Sequence, residues 1–134
     1  MPLSWWEARL AMGELPKEVV FGCMENGVLC GVVGLSFDGR EKARHKATLF
    51  GMYVPARFRN LGIGAALLVH ALAYAKARPG VLLVQLTVTA GNATAQSLYE
   101  RHGFVPFGLE PLAVAVGSTF VSKLHLWCKL EGKN

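Results

Sequence analysis

One hundred and thirty-four residues read as a single domain, residues 1–134, whose first eighteen form a short N-terminal segment. A hydrophobic share of 52% against 17% charged residues excludes a disordered chain, and no uncharged apolar run reaches the roughly 18–20 residues that cross a bilayer. The net charge is +5, and its placement matters more than its size: six Lys and Arg residues against one acid, Glu41, fall between Arg40 and Arg59, a field that attracts an anionic ligand.

The opening stretch has neither a basic region nor a clean apolar run, so no secretory leader is read. Trp5 to Met12 reads as a short helix, with Ser4 as N-cap and Gly13 as the stop. Val19 to Met24 and Val28 to Leu35 then flank Glu25-Asn26-Gly27, and Asn-Gly between apolar runs predicts a hairpin. After the basic loop, Ala47 to Val54 reads as a third strand stopped by Pro55. From Gly62 to Arg78 the residues Ile63, Leu67, Leu68, Ala71, Leu72 and Ala75 keep helical spacing, and Pro79-Gly80 ends that helix. Val81 to Val88 is nearly continuously apolar, the pattern of a strand buried on both faces in a parallel pairing. Asn92 caps a second helix that closes at Gly103. Phe104 to Phe107 and Thr119 to Leu130 supply two closing strands around a loop at Glu110 to Gly117. This order predicts an α+β fold, a mixed and mostly antiparallel sheet with flanking helices. Cys23, Cys30 and Cys128 are odd in number and lack metal-ligand spacing. They read as reduced cysteines of a cytoplasmic protein, two of them buried in strands, and no metal site is expected.

Arg59-Asn60-Leu61-Gly62-Ile63-Gly64, between a strand and a helix, has the form of an anion cradle. Glycines allow the backbone close to a ligand, the first-turn N–H groups lack intrahelical partners, and the helix dipole adds positive potential beside Arg57 and Arg59. Packing of helix on sheet would also use such glycines. The segment lacks the third glycine of a dinucleotide fingerprint and the Lys-Ser/Thr of a P-loop. A phosphate-bearing molecule held by backbone amides is the ligand it predicts.

The same segment resembles the Q/R-x-x-G-x-G/A signature of the GNAT superfamily of N-acetyltransferases, and thirty residues on a second signature follows. Asn92-Ala93-Thr94-Ala95-Gln96-Ser97-Leu98-Tyr99-Glu100-Arg101-His102-Gly103-Phe104 is similar to that family's N-x-x-A-x-x-L-Y-x-x-x-G-F helix. The resemblance spans about Val19 to Leu130. It implies acetyl transfer from acetyl-coenzyme A to a primary amine by direct attack on the thioester, with coenzyme A as product and the acceptor unspecified. It also implies that the Arg59, Asn60, Leu61, Gly62, Ile63, Gly64 and Ala65 loop holds the pyrophosphate, and that Met52, Tyr53 and Val54 bind the pantetheine arm through their backbone. Asn92 and Tyr99 would complete the cofactor site, with Tyr99 protonating the thiolate. Asn92, Gln96 and Tyr99 share a helix face, which would look into a cleft between diverging strands. The alternative is a non-catalytic acyl-CoA-binding module that retains the cradle.

An alkylamine is protonated at neutral pH to all but about one part in a thousand, so something must accept its proton. The third strand holds no acid. Thr87 stands where relatives that acetylate ribosomal-protein N-termini typically carry Glu, which counts against that branch. His45, Glu110, His125 or a water relay remain. Most members of the family begin with a strand and two helices that form much of the acceptor wall. Here the short N-terminal segment predicts that the first strand is missing and that Val19 to Met24 is a sheet edge. The acceptor pocket would then be open, or completed by a partner in a homodimer built on the apolar N-terminal segment. The basic loop lacks interleaved aromatics, so nucleic acid is not expected as partner, and without a bilayer-length apolar run neither is a membrane.

Overall fold

The computed structural model describes residues 4–11 and 16–132. In chain order these form β1 (Ser4–Ala11), β2 (Pro16–Glu25), β3 (Val28–Phe37), β4 (Lys46–Tyr53), α1 (Ile63–Ala77), β5 (Leu83–Thr89), α2 (Ala93–Arg101), β6 (Val105–Val116) and β7 (Thr119–Lys129). The strands make one sheet in the order β1-β2-β3-β4-β5-β7-β6. Only β4 and β5 run parallel; the other neighbours are antiparallel. This is the expected α+β architecture. The β2–β3 hairpin turns at Asn26 (φ 51°) and Gly27 (φ 79°), the left-handed pair that matches strand twist.

One face of the sheet carries the core. Val19, Phe21, Val33, Leu35 and Leu49 meet Ile63, Leu67, Leu68, Ala71 and Ala75 of α1, and the cluster continues through Leu86, Leu126, Tyr99 and Phe104. A Cβ built on Gly31 would lie 2.7 Å from Leu67 and 3.0 Å from Ile63, so the glycine is what lets α1 seat this closely on β3. Leu67 has no exposed surface, and truncating such a side chain to Ala costs about 2–5 kcal/mol. Both helices lie on this face, with Gly64 of α1 against Leu98 of α2. Accordingly β5 is buried on one side only: Val84, Leu86 and Val88 are buried while Thr87 and Thr89 are exposed, contrary to the expectation of two buried faces.

Three further expectations are corrected. The helix expected over Trp5 to Met12 is a strand over its described part, and Met12 and the Gly13 stop lie outside the described residues. Ser4 to Leu10 pair in register with Met24 to Glu18 of β2, and the Ser4 hydroxyl donates to the Met24 carbonyl at 3.5 Å. The first strand is therefore present, and β2, flanked by β1 and β3, is not a sheet edge. Only residues 12–15 separate β1 from β2, too few for a helix pair between them. The N-terminal rings cover the chain's own sheet, Trp5 stacked on His70 of α1 (centroids 4.4 Å apart, planes 3°) and Trp6 over Gly22 on the other face. The edge on which the expected homodimer rested is thus absent. Finally, the loop expected at Glu110 to Gly117 is strand as far as Val116. Register shifts after Pro106 and Glu110 and a left-handed Leu112 (φ 52°) absorb Pro111 without breaking the ladder. Cys23 and Cys30 are buried in β2 and β3, as expected. Burial and the neighbouring Cys30 push the Cys23 thiol up to about 11. Among the described residues, no helix is long and apolar enough to cross a membrane.

Candidate functional site

The site begins where two parallel strands part. β4 and β5 pair only over Lys46–Thr48 and Leu83–Gln85. Beyond Thr48, β4 bends: Gly51 takes φ 66°, and the register with β3 slips between Phe50 and Tyr53. Such a bulge turns a strand away from its neighbour. It opens a cleft of about 260 Å³ between Leu49–Met52 and Leu86–Thr89, with Asn92, Ala95 and Tyr99 also in its wall. Main-chain groups that β4 and β5 no longer exchange there are free to bind an extended ligand.

After β4 the chain turns into α1. Gly62 stands at the N-cap with φ 78° and no side chain caps the helix. The first bond back to the loop comes from the Ala66 N–H to the Gly62 carbonyl at 3.0 Å, so the N–H groups of Ile63, Gly64 and Ala65 point outward. A Cβ at Gly62 would meet nothing within 4 Å; the space over the loop is open. A second groove of about 620 Å³ runs here, walled by Val54, Phe58, Arg59, Asn60 and Gly62 to Ala65 on one side, and by Asn92, Thr94, Ala95, Leu98 and Arg101 on the other. Asn92 and Ala95 line both volumes, so cleft and groove adjoin there. The Arg59 Nε donates to the Val54 carbonyl at 3.1 Å, fixing the loop to the end of β4. The arrangement fits an elongated molecule with an anionic group at the loop and a slender arm in the cleft.

α2 closes the cleft. The Asn92 Oδ1 accepts from the Ala95 N–H at 3.2 Å, the expected N-cap. Tyr99 is 6% exposed, packed edge-on to Phe104 at 5.8 Å. Its burial pushes the phenol above its ordinary value of 10.0. Among the described residues no buried side-chain oxygen lacks a partner while sealed from solvent. The Tyr99 hydroxyl, bonded to no protein group, is therefore open to the cleft. Gln96, expected on the same face, instead turns outward to Glu100 at 3.5 Å.

The remaining expected residues divide. Met52 lines the cleft and Val54 the groove, whereas Tyr53 and Leu61 are 56% and 53% exposed and line neither. Arg57 stacks over Phe58 at 4.8 Å outside the groove. His45 precedes β4 at the end remote from Met52, about 23 Å away at about 3.3 Å per residue. It lines a separate cavity with Lys17, Arg44 and Arg78 and is not part of this site. His125 and Glu110 do come together, His125 Nε2 standing 2.8 Å from Glu110 Oε1. His125 is paired with Thr87 across β5 and β7, and Thr87 lines the cleft. Thr94, Leu98 and Arg101 were not anticipated. Their spacing of four and three, offset from the Asn92–Tyr99 face, was the available signal. Among the described residues no group of three or more His, Cys, Asp or Glu side chains is placed to hold a metal.

Comparison with known proteins bears on the family and the fold. The family model described as Acetyltransferase (GNAT) family matches residues 2–104. The [Ribosomal protein bS18]-alanine N-acetyltransferase of Escherichia coli (strain K12) is 32% identical over 100 residues, covering 75% of this chain and 64% of that protein. The L-amino acid N-acetyltransferase AaaT of the same organism is 30% identical over 99 residues, 74% of this chain and 59% of its own. The chain thus spans about 64% of the length of the first of these relatives. Among solved structures, the acetyltransferase of GNAT family from Streptococcus pneumoniae superposes with a TM-score of 0.79 at 30% identity, over 85% of this chain and 67% of that one.

Proposed function

The chain belongs to the GNAT acetyltransferase family, and from that premise we propose that it transfers an acetyl group from acetyl-coenzyme A to a primary amine. One observation carries the reading: the amide-lined groove at Gly62 and the β4–β5 cleft, which has Tyr99 in its wall, adjoin at Asn92 and Ala95. The Ile63 to Ala65 amides, with the α1 dipole and Arg59, suit a pyrophosphate. The unpaired backbone around Met52 suits the amide-bearing pantetheine arm. Bound there, acetyl-coenzyme A supplies a thioester for an amine to attack. Tyr99, in the cleft wall, keeps a phenolic proton that a departing sulfur would need. Gripping the long coenzyme along α1 and α2 fixes its acyl end, and positioning of this kind lowers a bimolecular barrier. The relatives' names point to ribosomal-protein alanine and free amino acids as acceptors. Thr87 in place of an acid counts against the first and does not single out the second, so the acceptor is assigned here only as a primary amine.

Acetyl-coenzyme A should raise the Tm as a ligand of the folded state does, and thiol should be released with at least one member of an amine panel. Stabilisation without release from any amine would make the chain an acyl-CoA-binding module. Absence of both stabilisation and release overturns the reading.

A further inference from the structure

We propose that Glu110 and His125 form a carboxylate–imidazole pair that takes a proton from a protonated primary alkylamine at the mouth of the β4–β5 cleft. The inference rests on the acetyltransferase reading and deepens it at the base. Glu110 Oε1 and His125 Nε2 are 2.8 Å apart. A carboxylate only accepts, so in the neutral imidazole Nε2 carries the hydrogen and Nδ1 presents the lone pair. The backbone holds this geometry: His125 is opposite Gly108 and Glu110 is opposite Lys123 on the adjacent strands, which puts both side chains on one face. Phe107 packs edge-on to the imidazole at 5.8 Å, steadying the ring.

Two observations turn the pair from a surface contact into a candidate site. First, His125 is the direct cross-strand partner of Thr87, a residue of the cleft wall, and directly opposed side chains stand about 5 Å apart. Thr87 offers only a hydroxyl, whereas the residue beside it on the next strand carries an imidazole nitrogen. Second, Gly108 leaves the space beside the imidazole empty, since a Cβ built there meets nothing within 4 Å. The groups facing the pair are Thr87 and Thr89 on β5, Phe107 on β6 and Lys123 on β7. The His125 side chain is 35% exposed, so a proton it takes up can pass on to water.

The chemistry balances. The C–N bond forms and the C–S bond breaks. An alkylammonium gives up two protons on becoming an amide; one is matched by the proton Tyr99 delivers to sulfur, and the other leaves through His125 to solvent. The substrate class follows. An alkylamine is protonated to all but about one part in a thousand at neutral pH and needs such a base, while an arylamine arrives neutral and does not.

The test compares His125→Gln with the wild-type protein on an alkylamine and on an arylamine. Alkylamine turnover should fall roughly 10²–10⁴-fold, arylamine turnover by a few-fold at most, with stabilisation by acetyl-coenzyme A retained. Independently of turnover, ¹⁵N spectra of the free protein should show the His125 ring as the Nε2–H tautomer, and Glu110→Ala should let the tautomers mix. Equal losses on both amines, no loss on either, or an Nδ1–H ring would overturn the proposal. If wild-type protein acetylates neither amine, it is the acetyltransferase reading that fails, and the ring spectrum still decides whether the pair holds its tautomer.

Discussion

The indole of Trp6 lies over Gly22, in the volume that a side chain at position 22 would need, and the two residues are direct partners across β1 and β2. Gly22→Val must push the ring off the sheet. Overfilling a packed site costs about 1–3 kcal/mol, read as a lower urea midpoint at unchanged slope, with tryptophan emission shifted to the red. Gly108→Val is the contrast: it meets nothing within 4 Å and should change stability by no more than about 0.5 kcal/mol. A Gly22→Val protein as stable as the parent, with unchanged emission, would contradict the placement of Trp6.

Why this strand was not legible follows from the same contact. Trp5 and Trp6 serve opposite faces of the sheet, one on His70 of α1 and one on Gly22, so adjacent apolar residues hide the period-two pattern and leave a helical reading open. The signal lay elsewhere, in glycines inside otherwise apolar strands. Gly22 receives the Trp6 ring, and a Cβ at Gly34 would lie 2.5 Å from the ring of Phe50; a strand-interior glycine often marks such an approach. By contrast, the Asn-Gly hairpin, α1, the Asn92 cap and the Gly62 turn each depend on local chemistry, and all four were readable. The Glu110–His125 pair was not. Its members are fifteen residues apart, and their meeting depends on a bulged register in β6 that Pro111 and Gly108 disguise as loop.

Gly62 tests the cradle. Its φ of 78° is left-handed and its surroundings are open, so Gly62→Val carries a backbone cost of about 1–2 kcal/mol and projects a branched side chain into the groove. Both the Tm of the free protein and its rise with acetyl-coenzyme A should fall, the second to nothing. Gly80→Val has a similar φ of 84° and open space at the far end of α1. It should lose Tm alike yet keep the response to the ligand. Equal ligand responses in the two variants would remove the pyrophosphate from this loop.

Tyr99 makes a kinetic and an alkaline prediction. Tyr99→Phe keeps the ring against Phe104 and removes the proton donor, so kcat should drop about 10²–10⁴-fold while acetyl-coenzyme A still raises the Tm. Burial holds the folded-state phenol above its unfolded value of 10.0. The stabilisation this represents is complete below that unfolded value and is lost as pH rises through the higher folded one. Stability of the parent should therefore fall on the alkaline side, and Tyr99→Phe should flatten that fall. Full turnover in the variant would leave Tyr99 a packing residue.

Asn92 has two duties that one substitution can separate. Its Oδ1 caps α2 by accepting from the Ala95 N–H at 3.2 Å, and the residue also lines both the groove and the cleft. Asn92→Ala removes cap and amide together and should cost about 0.5–2 kcal/mol. Asn92→Asp keeps the cap, because aspartate is as good an N-cap and its charge suits the helix N-terminus. That same charge faces a groove built for an anion and repels it. Asn92→Asp should thus match the parent in urea midpoint yet bind acetyl-coenzyme A more weakly, with the loss shrinking at higher salt as the repulsion is screened. If Asn92→Asp instead loses stability and keeps its affinity, the residue does not face the ligand, and a ligand passing from groove to cleft beside Asn92 is ruled out with it.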